Sequence, residues 1–313
     1  MNILIINNPE ENCGVHQYGK RFGNIACKSK KYNFIYCEMT SESEFISKIS
    51  EYKPTAIIYN YLSGTMPWVT GELIHGCRSQ GIRQYVIVHN SYYGGFDYYL
   101  HQNPYHPHVD DRNFALARPL FEFNSPSTKV LDDDTIHIGS FGFGLSCKYI
   151  DEICKLINEQ LFYKKVQINL HLTEAHFCPN ADTIASIKQE CLNSITHDNI
   201  KLNMTHNFLT NEEILEFLAK NDLNIFFYEK YQHYNGISSS VDYALSVKKP
   251  IAICSSNMFS HIWDAQPSIC VENNSLLNII NNGFAPLEEK YNSWTHKKFI
   301  HTLETIIEKT FEV

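Results

Sequence analysis

Asn235-Gly-Ile-Ser-Ser-Ser-Val-Asp-Tyr-Ala-Leu245 lies between the apolar run Asn224-Ile-Phe-Phe-Tyr228 and the segment Ser246-Val-Lys-Lys-Pro-Ile-Ala-Ile253. A short apolar run, a flexible glycine, three small hydroxyls, a helical pattern and a second apolar run spell strand, loop, helix and strand, the repeating unit of a parallel sheet. Such a loop gathers free backbone N–H groups and the positive end of a helix at one point, where a phosphate or a sugar hydroxyl is well held. The same serines are also ordinary helix caps, and the residues alone leave both readings open.

The rhythm continues outward. Ile136 to Phe141, Val166 to His171, Pro250 to Cys254 and Ser268 to Val271 read as further strands, with helical periodicity over Lys148 to Leu161 and Asn211 to Lys220. Thr210 and Glu213 have capping-box spacing ahead of the second of these helices. In the first half Asn2 to Ile6, Phe34 to Cys37, Ala56 to Tyr59 and Gln84 to Val88 repeat the pattern. The stretch Gly94 to Arg112, rich in Tyr, His and Pro, reads as a long loop. Ala117 to Asp134 carries two prolines and no sustained period, which places a boundary near Leu131. The expected organisation is therefore an α/β chain with residues 1–131 and 132–292 as two Rossmann-like lobes, and 293–313 as an amphipathic closing helix.

The chain has 313 residues, enough for two lobes with their own cores. Its formal charge of -8, without a basic cluster, excludes a nucleic acid as the expected partner. Ten scattered cysteines without a CxxC pair fit reduced thiols in a cytosol. The start MNILIINN lacks a basic n-region, and nowhere do about 18 apolar residues follow one another. The expectation is a cytoplasmic protein that spans no membrane, with peripheral membrane contact compatible with a lipid-linked acceptor.

Two other glycine segments carry chemistry. Ile138-Gly-Ser-Phe-Gly-Phe-Gly144 leaves the first strand of the second half and leads to Lys148; its glycines let backbone approach a diphosphate and the lysine supplies a point charge. The order G-x-x-G-x-G is not the dinucleotide fingerprint, so an NAD-dependent oxidoreductase is disfavoured. Asn8-Pro-Glu-Glu-Asn-Cys-Gly-Val-His16 follows the first strand, at the sheet edge where open α/β sheets bind ligands.

With Thr205-His-Asn-Phe-Leu209 and Met258-Phe-Ser-His-Ile262, these three segments in this order resemble GT-B glycosyltransferases of the family-4 type, particularly bacterial polysaccharide-related members. The likeness covers most of residues 136 to 265 and is thinner before them. It implies two Rossmann lobes facing each other across a cleft, with the closing helix crossing back toward the first. The implied donor is a nucleoside-diphosphate sugar of the UDP or GDP type, the acceptor a glycan or other hydroxyl, with retention and with no cofactor or metal required.

Carried over position by position, the resemblance puts Gly14 and Val15 beside donor sugar and acceptor, with His89 near the sugar. It puts Lys148, with Ser140 and Phe141, at the diphosphate. Asn235, Gly236, Ile237, Ser238, Ser239 and Ser240 would touch sugar and phosphate, Phe208 and Leu209 would flank the base, and Asp242 would accept ribose hydroxyls. His89, Lys148 and Asp242 are the implied catalytic residues. Two departures stand out: Asn235 and Tyr243 occupy the places of the family's paired glutamates, and no arginine accompanies Lys148 within Leu145 to Cys147. A non-catalytic sugar-nucleotide-binding protein is therefore the alternative. Asp132-Asp-Asp134 and His106-Pro-His108 with Asp110 and Asp111 contain metal-ligand residue types, but linker and loop contexts favour solvated charge and no metal site.

Overall fold

A computed structural model of the chain describes residues 1–89, 94–124, 134–174, 181–230 and 236–312. They form two compact units: Met1–Leu120, Tyr234–Ile237 and Ser293–Val313 make unit 1, and Phe121–His233 with Ser238–Asn292 make unit 2. The boundary expected near Leu131, the aspartates 132 and 133, and Asn235 lie outside the described residues.

Unit 1 is built on β1 (Asn2–Asn7), α1 (Gly14–Ala26), β2 (Asn33–Glu38), α2 (Glu42–Tyr52), β3 (Ala56–Tyr59), α3 (Gly71–Ser79), β4 (Arg83–Val88), β5 (Tyr98–His101) and β6 (Asn113–Ala115). All pair in parallel in the order β2-β1-β3-β4-β5-β6. A parallel sheet covered on both faces needs strands that are apolar on both sides, and β3 and most of β1 and β4 are fully buried. The core gathers Leu4, Ile6, Ile57, Tyr59, Val86 and Phe96 with the helices α2 and α3.

Unit 2 carries β7 (Thr135–Phe143), α4 (Ile150–Gln160), β8 (Lys165–Thr173), α5 (Ala181–Ser194), β9 (Ile200–Thr205), α6 (Asn211–Ala219), β10 (Leu223–Phe226), α7 (Ser240–Ser246), β11 (Ile251–Ile253), α8 (Leu276–Asn282) and α9 (Glu288–Ser293). Its parallel sheet runs β11-β10-β7-β8-β9. The capping box expected at Thr210 is formed in both directions. The last helix, α10 (His296–Phe311), belongs to unit 1: Phe299 meets Phe22 edge-on at 5.3 Å, and Thr310 hydrogen-bonds Tyr85.

Three expectations change. The stretch Gly94 to Arg112 contains β5, whose four residues are too few to show a period; its Tyr98 ring stacks on Tyr85 at 4.9 Å. Ser268 to Val271 is not a strand but a single bridge, Cys270 to Ile253. β9 was not anticipated, because as an edge strand it keeps polar side chains and is only partly buried. Among the described residues no helix is long and apolar enough to cross a membrane, and no group of three metal-ligating side chains gathers.

Candidate functional site

In a doubly wound sheet the strand order reverses at one place, and the loops leaving the two strands there diverge and open a crevice at the carboxyl edge. Each unit has one such place. In unit 2 it lies between β7 and β10, because β8 and β9 extend one side of β7 while β10 and β11 extend the other.

The expected helix over Lys148 to Leu161 begins later. After β7 the chain makes one 3₁₀ turn, Ser146–Lys148, Tyr149 takes a left-handed conformation at φ 44°, and α4 starts at Ile150. Lys148 is thereby buried at 7 % exposure. Its Nζ lies 5.7 Å from the Tyr228 ring centre and 5.9 Å from that of Phe143. Among the described residues no carboxylate pairs with it and no acceptor takes its protons. Burial pushes its pKa from 10.5 down to about 8, a nearby Cys147 acting weakly the other way. A buried ammonium without a counter-charge disfavours the folded state, and an entering anion relieves that cost.

The pocket at this ammonium is lined by Ser140, Phe141, Tyr228, Ser238 and Ser240, and its enclosed part, about 10 Å³, has room for one oxygen-sized group. A wider recess of about 230 Å³ shares the wall of Phe227 and Tyr228. Gly142, at φ 144°, makes the approach of strand to lysine possible: a Cβ there would collide with Lys148 Nζ and lie 3.6 Å from Ser240 Oγ. Ser239 occupies the N-cap position of α7 and makes no side-chain cap bond.

The other expected residues distribute as follows. Asp242 is fully buried in the first turn of α7 and is not on the pocket wall. Tyr243, which the resemblance would set in the place of a glutamate, packs edge-on against Phe141 at 5.1 Å, and its hydroxyl donates to Asn211 Oδ1 at 2.6 Å. Phe208, half exposed, and Leu209 lie on the loop between β9 and α6, away from that wall. Gly236 and Ile237 fall to unit 1 while Ser238, Ser239 and Ser240 fall to unit 2.

In unit 1 the order reverses between β1 and β3, which end at Asn7 and Tyr59. Gly14 and Val15 open α1, whose N-cap Cys13 makes no side-chain cap bond. Behind them runs a buried chain of amides. Asn7 Nδ2 donates to the His16 carbonyl at 3.0 Å and to Tyr36 Oη at 2.7 Å; Asn60 Nδ2 donates to Asn7 Oδ1 and to the Val15 carbonyl, each at 2.7 Å. His89 Nε2 meets Asn60 Oδ1 at 2.7 Å, and Gln102 Nε2 meets His89 Nδ1 at 2.5 Å and the Val88 carbonyl at 3.2 Å. Arg118, fully buried, donates to the Gln102 carbonyl at 2.9 Å. Burial, and then the charge of Arg118, lower the His89 pKa to about 3. His89 is thus neutral, with both ring nitrogens occupied. Asn7, Asn60, Gln102 and Arg118 escaped the sequence reading; the available signal was an amide terminating an apolar strand at Asn7 and Asn60.

No family model and no curated protein matches this sequence. Solved structures do. HepE of Anabaena, in complex with UDP-glucose, aligns with a TM-score of 0.57 at 11% identity over 100% of this chain and 98% of its own. The trehalose-6-phosphate synthase OtsA aligns at 0.64 and 8% identity over 100% and 99%. The fold is GT-B. An α-glucosyltransferase in complex with UDP and a 13-mer DNA containing an HMU base gives 0.58 at 12% identity over 100% and 98%. All three neighbours are GT-B glycosyltransferases, and at these identities the likeness is one of fold.

Proposed function

We propose that this chain is a family-4-like, hexosyltransferase-type glycosyltransferase. It would move a sugar from a UDP- or GDP-type donor to a hydroxyl of a glycan or other acceptor, with retention and without a metal, in the cytoplasm and in peripheral membrane contact where the acceptor is lipid-linked. The observation that carries this reading is Lys148, a buried ammonium without a counter-charge among the described residues, set among serine hydroxyls at the switch point of unit 2. The UDP bound by HepE and by the α-glucosyltransferase supports a diphosphate as the missing anion.

In the reaction the bond between the anomeric carbon and the diphosphate oxygen would break, its electron pair staying on the diphosphate, while the acceptor oxygen bonds the carbon and passes its proton to the departing diphosphate. Lys148 would neutralise the charge that accumulates on the leaving group. Ser140, Phe141, Ser238, Ser239 and Ser240 would surround phosphate and sugar oxygens, Asn235, Gly236 and Ile237 would complete that loop, and Phe208 and Leu209 would flank the base. Gly14 and Val15 would meet sugar or acceptor. His89, neutral and saturated, fits positioning rather than proton transfer, and Asp242, without exposed surface, fits support of α7 rather than direct catalysis.

Calorimetry with UDP, GDP and their sugars tests the reading. Saturable binding of one nucleotide, lost in Lys148→Ala, is expected; no binding by the folded protein to any of them would overturn it. A second reading, a binding protein without turnover, is favoured by Tyr243, whose ring and hydroxyl are committed to internal contacts where the family has a carboxylate. Release of nucleotide and sugar product in the presence of acceptor separates the two.

A further inference from the structure

Three main-chain carbonyls determine the polarity of the amide chain in unit 1. A carbonyl only accepts, so the Val15 carbonyl requires the NH₂ end of Asn60 to face it, and the His16 and Val88 carbonyls require the same of Asn7 and Gln102. Asn60 therefore turns its oxygen to His89, Gln102 turns its nitrogen to the other side of that ring, and the only matching tautomer is Nε2–H with Nδ1 accepting. We propose that Asn60 is the positioning residue of this switch point: its oxygen selects the tautomer of His89, and its nitrogen holds the Val15 carbonyl and with it the first turn of α1. The side chain is fully buried, and α1 can approach it because residue 19 is glycine; a Cβ there would come within 2.6 Å of Asn60 Cγ and 2.8 Å of Asn7 Cγ.

Asn60 is not among the residues that line the Lys148 pocket, so nucleotide binding is a readout separate from it. Its link to turnover rests on the sugar-transfer reading, whereas its structural content does not. The first test needs no variant: long-range ¹H–¹⁵N correlation in the full-length protein labelled at histidine nitrogens. A neutral Nε2–H signal for His89 from pH 5 to 8 is expected; a neutral Nδ1–H form or an imidazolium in that range overturns the assignment.

The second test is Asn60→Asp, the isosteric change that places a carboxylate against the ring and an acceptor against the Val15 carbonyl. The His89 titration should move up by about one unit or more, and exchange of the Gln17 amide, which closes the first turn on the Cys13 carbonyl at 3.0 Å, should speed about tenfold. Unchanged titration and exchange would overturn the proposal. If this variant does not fold, the wild-type tautomer still decides. Where wild type turns over a donor, Asn60→Asp should lower kcat about tenfold or more with UDP affinity unchanged, and Asn60→Gln should not restore it. A wild-type protein that binds no nucleotide would instead break the sugar-transfer reading and leave the NMR outcome standing.

Discussion

At the strand reversal of unit 2 a buried ammonium stands among hydroxyls and rings, without a counter-charge among the described residues. At the reversal of unit 1 the amides and imidazole from Gln102 to Asn7 are joined by hydrogen bonds of 2.5 to 2.7 Å, and the imidazole among them is neutral. The same topological feature has thus been filled with opposite electrostatics. A site left unsatisfied gains free energy when its ligand arrives, because the ligand relieves a cost already present in the folded protein. A satisfied network gains little from a ligand but holds its geometry, since breaking any member leaves a buried group unpaired. On the proposed reading, unit 2 would be the half that captures an anion and unit 1 the half that presents a fixed turn.

The largest expected effect removes that asymmetry. Lys148→Met keeps the volume and deletes the charge. Below its folded pKa of about 8 the lysine is charged in both states, so at pH 7 its burial disfavours the folded state in full. A displacement from 10.5 to about 8 corresponds to a gain on the order of 3 kcal/mol in stability for the variant without ligand. Nucleotide affinity should fall about 10- to 100-fold, as expected for a lost charge-assisted interaction. Chemical unfolding and calorimetry read the two effects, and a variant less stable than wild type at pH 7 would show that the lysine has a partner after all. Next in size, Gly19→Ala drives a methyl into Asn60 and Asn7 and should destabilise unit 1 by about 1–3 kcal/mol. UDP affinity, which the proposed reading assigns to unit 2, should not change; if it does, the two sites are not separate devices.

The sequence singled out more of the residues at one of these places than at the other. Lys148, Ser140, Ser238 and Ser240 were legible because a glycine-rich turn, a lone cation and small hydroxyls after apolar runs are local patterns, and they line one pocket in the structure. The amide network was not. Asn7, Asn60, His89 and Gln102 each look like a polar residue closing a short apolar run, and their meaning comes from adjacency across four parallel strands, which no local window contains. His89 was singled out for its position at the end of an apolar run; that burial and two hydrogen bonds keep its ring neutral is visible only in the fold. The same limit hid β5 and β9, one too short and the other too polar to announce itself.

A smaller effect follows from the pH response of unit 2 alone. If only the protonated lysine holds the diphosphate, affinity is constant below pH 8 and falls as pH rises through the free-protein pKa, approaching about tenfold per unit. The stability contribution runs the other way. Between about 8 and 10.5 the unfolded chain binds more protons than the folded one, so the cost of the buried charge is progressively relieved as pH rises. Calorimetry from pH 6.5 to 9.5 should show this decline in wild type and none in Lys148→Met.

The smallest effect tests what Tyr243 does in the place of a carboxylate. Its hydroxyl donates to Asn211 Oδ1 at 2.6 Å at the start of α6, and its ring packs on Phe141, which lines the lysine pocket. Tyr243→Phe deletes the bond and keeps the ring, so a loss of about 1 kcal/mol in stability is expected. Nucleotide affinity should stay within a factor of about two, since no oxygen of the pocket wall is removed. Tyr243→Glu introduces the acid that the resemblance implies but removes one of the two rings that meet Phe141 edge-on and buries a charge beside it; affinity for UDP-sugar over UDP should rise only if a sugar hydroxyl reaches that carboxylate. An unchanged preference would mean that the aromatic contact, not a carboxylate, defines the pocket floor in this chain.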